Sequence, residues 1–184
     1  MKDKNVKEVM IPLSDYAIVP EEETLANAIK TLKQTQKDNR FRHKHRAVLA
    51  YDKNNNITGK LSVFDILKAL EPKYRQFEHS DHTGNIGLSR FGFNNEFLNS
   101  LIDNFNLWDE TLEELVKKAS HLKVKDIMYT PGEGEYVDEK APASEAVHQF
   151  ILGCHQSLLV LKKNRVVGVL RLADIFDLVC DILE

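Results

Sequence analysis

The chain has little of what marks a secreted, membrane-spanning or nucleic-acid-binding protein. Only two of its 184 residues are cysteine. Cys154 and Cys180 lack metal-site spacing and lie in apolar stretches, which predicts buried free thiols in a reducing, intracellular compartment. No apolar run approaches the roughly 20 residues needed to span a bilayer. The opening Met1-Lys2-Asp3-Lys4-Asn5 has no apolar stretch of the signal-peptide kind, so a cytoplasmic location is expected. The net charge of −3 argues against a broad nucleic-acid-binding surface. Signatures of hydrolytic chemistry are missing too: there is no Gly-x-Ser-x-Gly, no Cys–His pairing and no His-Glu-x-x-His. Without a paired acid and base at catalytic spacing, no enzyme is expected. His43, His45, His79 and His82 invite a metal reading, and His79-Ser80-Asp81-His82 has workable ligand spacing. No cysteine or second acidic cluster accompanies them, so no metal is expected.

What is present is a pattern stated twice. The first copy reads Val6-Lys7-Glu8-Val9-Met10, then Thr24 to Ile29, then Gly59-Lys60-Leu61-Ser62-Val63-Phe64-Asp65-Ile66. The second reads Val124-Lys125-Asp126-Ile127-Met128, then Ala143 to Val147, then Gly168-Val169-Leu170-Arg171-Leu172-Ala173-Asp174-Ile175. Each copy predicts a short helical turn, a breaker, a short strand, a helix, two strands in a hairpin and a closing helix. In the first copy the strand is Tyr16 to Val19, and the long helix puts Leu25, Ala28, Ile29 and Leu32 on one face at helical spacing. Ala47 to Tyr51 reads as a buried strand, Asp52 to Asn56 as a turn, and Ile57 to Leu61 as the returning strand. In the second copy the matching parts are Tyr136-Val137, Ser144 to Leu152, Ser157 to Leu161, Val166 to Leu170, and a last helix from Leu172 to Leu183. The predicted class is α+β. Two pseudo-symmetric β-α-β-β-α units, residues 1–70 and 123–184, pack together around a helical insertion at 71–122. One unit of this size is marginal alone, and ligand clefts belong where the two meet.

The insertion lies outside the repeat. Residues 76–92 have no period and read as a loop. Asn95 to Phe105 then places Phe97, Leu98, Leu101, Ile102 and Phe105 on one helical face. Thr111 to Ala119 opens with a capping box and is expected to bury Leu112, Leu115 and Val116. The area around Phe97, Leu101, Phe105 and Trp108 must be covered, either by the module or by a partner.

The chemistry concentrates where a strand ends and a helix begins. Free N–H groups at Ser62-Val63-Phe64-Asp65 and Arg171-Leu172-Ala173-Asp174 suit a phosphate, and a Ser hydroxyl or Arg guanidinium adds a donor. An aspartate three residues on faces the same mouth, and a carboxylate accepts from both hydroxyls of a ribose. The plainer reading is that Asp65 and Asp174 cap their own helices and Ser62 is an N-cap. Arg171 either takes a phosphate or crosses to an acidic residue and fills the cleft. The basic run Arg40 to Arg46 reads first as a solvated loop, yet Arg46 is the best-placed extra phosphate donor. Tyr136 either stacks on a base or is ordinary core. His148 and His155 read as structural.

These motifs resemble a tandem pair of CBS (cystathionine β-synthase) domains, the Bateman module, over about residues 4–70 and 122–183. Ser62, Asp65 and Asp174 match the family's strand-end pattern, while Arg171 stands where Ser or Thr is commonest. The resemblance implies a regulatory module without catalysis that requires no cofactor. It would bind an adenosyl compound (AMP, ADP, ATP or S-adenosylmethionine) between the copies and act on a partner protein. Asp65 and Asp174 would hold ribose, Ser62 would approach the ribose-phosphate, and Ile18-Val19 and Tyr136-Val137 would line base pockets. A homodimer is implied, with Ile175, Phe176, Leu178, Val179 and Ile182 of the last helix as an apolar face. The rival reading is an interaction module with degenerate clefts that works through the middle helices.

Overall fold

A computed structural model describes residues 4–37, 42–74 and 94–184. The first unit holds β2 (Ile18–Pro20), α2 (Leu25–Thr35), β3 (Ala47–Tyr51), β4 (Ile57–Ser62) and α3 (Val63–Leu70). The second holds β5 (Tyr136–Asp138), α7 (Ala143–Gly153), β6 (Ser157–Lys162), β7 (Arg165–Arg171) and α8 (Leu172–Leu183). In each, a short parallel strand lies beside an antiparallel hairpin: β2 on β3 and β3 on β4, then β5 on β6 and β6 on β7. The hairpins turn on residues that tolerate left-handed backbone. Asn55 has φ 60°, and the tighter second turn has Lys163 at 48° and Asn164 at 61°. Asp52 Oδ1 accepts from the N–H groups of Asn54 and Asn56 at 2.8 and 2.9 Å, fixing the longer loop.

The openings of the two copies are exchanged. The leader helix α1 (Val6–Val9) does not pack on the first unit. Val6 is fully buried in the core of the second, against Ala146, Leu158 and Leu170. The strand after it, β1 (Ile11–Pro12), pairs antiparallel with β7, Ile11 facing Val169. Conversely, α6 (Val124–Ile127) sends Val124 and Ile127 into the first unit's core beside Leu25, Leu61 and Leu70. The hydrogen bonds repeat in step. Val6 N–H donates to Ala141 O and Lys7 N–H to Glu139 O, both at 2.9 Å. Val124 N–H donates to Glu23 O and Lys125 N–H to Glu21 O, again both at 2.9 Å. Each leader therefore satisfies its backbone on the turn between the other copy's opening strand and its helix.

A third apolar layer joins the sheets face to face. Leu49 of β3 and Leu159 of β6, which hold equivalent positions, meet there with Ile11, Tyr16 and Val169. Burying each leucine stabilises by about 1.5–3 kcal/mol.

The insertion forms α4 (Asn95–Phe105) and α5 (Leu112–Ala119), at the predicted places. Glu71, almost fully buried, anchors its end by accepting from Trp108 N–H at 2.8 Å. Thr111 caps α5, and Leu115 and Ala119 enter the first core. Leu112 and Val116, expected inside, are exposed, because the inward stripe is the i, i+4 pair Leu115–Ala119. Helix α4 buries no residue, and Phe97, Leu98, Ile102 and Phe105 remain outward. The predicted loop at 76–92, with His79 and His82, lies outside the described residues.

Two expectations about buried positions fail. Cys154 is exposed at the end of α7 in a left-handed conformation, and Cys180 is only partly covered on α8. Nor is the basic run a uniformly solvated loop. Arg40 and Phe41 lie outside the described residues, but His45 is fully buried and edge-on to Tyr16, ring centroids 4.5 Å apart.

Candidate ligand-binding crevices

The head of α3 is a reciprocal cap. Ser62 Oγ accepts from Asp65 N–H at 3.2 Å, and Asp65 Oδ2 accepts from Ser62 N–H at 2.8 Å and from its hydroxyl at 2.6 Å. The plain reading of both residues therefore holds, and they do cap the helix. Asp65 Oδ1 has no hydrogen-bond partner among the described residues. The side chain borders a hollow of about 230 Å³ lined by Lys68, Ala69, Asp126, Ile127, Met128 and Tyr129. The hollow lies between α3 and α6, the leader of the second copy that packs on the first unit, and no residue of the second unit's sheet lines it.

Beside it, Lys60 of β4 crosses to the second unit. Its Nζ lies 3.3 Å from Glu135 Oε1 and 3.2 Å from Ser157 Oγ. Glu135 also accepts from the Tyr129 hydroxyl at 2.6 Å and Gly132 N–H at 3.0 Å. Burial pushes the Glu135 pKa up, but those hydrogen bonds and the Lys60 charge outweigh it and hold the carboxyl below its ordinary 4.5. His155 Nδ1 stands 4.0 Å away. Lys60 stands inside the quoted Gly59–Asp65 motif, and Glu135 comes directly before the second opening strand. Neither was singled out from sequence, because only the pairing of the two copies brings them together.

At the head of α8 the same backbone carries a different outcome. Asp174 accepts from Arg171 N–H at 3.0 Å and from Arg171 Nε at 3.1 and 2.9 Å, with Nη2 also on Oδ1. Arg171 Nη1 donates to the carbonyl of His43 in the first unit at 2.7 Å. Neither sequence reading of Arg171 describes this arrangement: its acidic partner, Asp174, is in its own copy, and what it crosses to is a backbone carbonyl. Beneath it Tyr16 is buried, which raises its hydroxyl pKa to about 12; Arg171 opposes that rise and Asp174 adds to it.

The remaining candidates are dispersed. Ile18 is 41% exposed, whereas Val19 and Val137 are buried in the cores of their own units. Arg46 is exposed, with its carbonyl bound to Val63 N–H. Tyr136 joins the layer between the sheets and lines an open groove of about 720 Å³ with Ile57, Asn164 and Arg165. That groove lies at the hairpin tips, the far end of β4 and β7 from Ser62 and Arg171. Among the described residues no group of His, Cys, Asp and Glu is arranged to hold a metal, and no helix is long and apolar enough to cross a membrane.

Two repeated units, each a parallel strand beside an antiparallel hairpin and each ending in a strand–cap–helix corner, define a tandem-repeat α+β fold. The family model for the CBS domain matches residues 6–72 and again 124–181, and the chain belongs to that family. Solved structures agree on the fold. CBSX2 in complex with AMP is 15% identical, covers 98% of each chain and has a TM-score of 0.60. A CBS domain-containing protein of unknown function from Bacillus anthracis is 15% identical over 97% of this chain and 94% of its own, with a TM-score of 0.62. The CBS domain of a membrane protein from Sphaerobacter thermophilus is 15% identical over 96% and 88%, with a TM-score of 0.60. No curated protein matches the sequence.

Proposed function

We propose that this CBS pair is a regulatory module that binds an adenosine compound at the Asp65 crevice and passes the occupancy to a partner protein, without catalysis. The observation that carries it is the Asp65 carboxylate, which spends one oxygen on its cap and borders a hollow between α3 and the leader of the second copy. The AMP held by a protein of the same fold supports the ligand class. In this reading Asp65 takes the ribose hydroxyls, and the Ser62 corner and Lys60 take phosphate. At 230 Å³ the hollow is smaller than the usual ligand cavity of about 300–1,000 Å³. The hollow must therefore widen to admit the whole ligand. A phosphate that draws Lys60 off Glu135 loosens a bridge spanning the two units, so the ligand favours one arrangement of them over another.

Isothermal titration with AMP, ADP, ATP and S-adenosylmethionine tests this. Binding of at least one is expected, and Asp65→Ala should weaken it tenfold or more while costing about 1 kcal/mol of stability through the lost cap. Silence toward all four on folded protein sinks the reading. A second reading, an interaction module, is favoured by the outward apolar side chains of α4. It predicts a copurifying partner that stays bound after both Asp65 and Asp174 are replaced by alanine.

A further inference from the structure

Ser62 and Arg171 hold equivalent positions, each the N-cap of a helix whose third residue is an aspartate. What they leave over differs. Asp65 spends one oxygen, Oδ2, on its cap, and its side chain borders the hollow. Asp174 has both oxygens engaged by one guanidinium, and the two side chains are each only 11% exposed. The planar fork of arginine matches a carboxylate at two points, which no serine at this position reproduces. Its remaining arm reaches the His43 carbonyl at 2.7 Å, in the first unit. One turn further along α8, Asp177 receives His43 Nε2 at 3.0 Å and Arg42 Nη1 at 3.3 Å. Three contacts thus fasten the approach to β3 onto the head of α8.

The geometry points to Arg171 as a built-in occupant of the corner at the head of α8, the counterpart of the Asp65 crevice. It holds the carboxylate that in the first crevice is left for a ribose, and it staples α8 to the first unit, so the chain takes one nucleotide rather than two. This rests on the reading of the Asp65 crevice given above. Restoring the residue of the first copy, Arg171→Ser, frees Asp174 and opens that corner.

The test pairs AMP titration with amide hydrogen exchange on the full chain. Wild type is expected to bind one AMP per chain and Arg171→Ser two. In the same variant, exchange of segment 42–46 and the first turn of α8 should quicken at least tenfold without ligand. Two AMP per wild-type chain, one per Arg171→Ser chain, or unchanged exchange would each overturn the assignment. If wild type is silent and the variant binds one, the occupant stands and the Asp65 reading falls. Silence in both overturns the two together. Should Arg171→Ser not fold, Arg171→Gln, a shorter polar side chain without the charged fork, is read by the same outcomes.

Discussion

Tyr16 links ionisation to folding most directly, because its ring is buried at the junction while Arg171 and Asp174 flank it. Its pKa is raised from 10.0 to about 12, so the folded state favours the neutral phenol. The stability this contributes is fully present below pH 10 and is lost as pH rises toward 12. Urea denaturation across that range should show Tyr16→Phe losing less stability with rising pH than wild type; parallel curves would show that Tyr16 does not sense the junction. Glu135 works in the opposite direction. Its pKa is held below 4.5, so its contribution is complete above that value and disappears as pH falls through the lowered one. Glu135→Gln should flatten the acid limb of the stability profile below pH 4.5. The caps at Ser62 and Asp65 were legible in sequence because capping is local. The contacts of Lys60 with Glu135, of Arg171 with the His43 carbonyl and of Tyr16 with the Arg171–Asp174 corner were not, since each crosses to the other copy and no spacing along the chain records it.

The strands before the two capped helices differ in what crosses them. A Cβ added at Gly168 would lie 2.6 Å from the Ile11 carbonyl oxygen, backbone held in place by its pairing with β7. One added at Gly59 would meet the Met128 side chain, with Sδ at 2.3 Å and no backbone atom among its nearest neighbours. A thioether swings aside, but a strand carbonyl does not. Gly168→Ala should therefore cost about 1–3 kcal/mol and Gly59→Ala distinctly less, as read from denaturation midpoints. Equal costs would mean that β1 yields as easily as a side chain. Helix positions were the most legible elements: α4 and α8 run over the residues that periodicity predicts. The burial of α5 was not, because Leu112, Leu115, Val116 and Ala119 satisfy overlapping helical stripes and only the docking on α3 selects the inward one.

At the scale of the molecule, the duplicated order and the α+β class follow from the repeat alone, whereas the exchange of leaders does not. Val6-Lys7-Glu8-Val9 has the same pattern whichever core receives it. With Val6 inside the second core and Val124 and Ile127 inside the first, neither unit is complete on its own stretch of chain. Thermal unfolding followed by circular dichroism and by Trp108 fluorescence should give one coincident transition, and a fragment of residues 121–184 should not fold. Separate transitions would mean that the leaders are dispensable. The crossed leaders also bear on origin. A half-length ancestor carrying one copy would have had to lend its first turn to a second molecule and borrow that molecule's in return. Joining two such molecules end to end preserves the trade and makes it independent of concentration. It also frees each corner to change alone, so that one now ends in serine and the other in arginine.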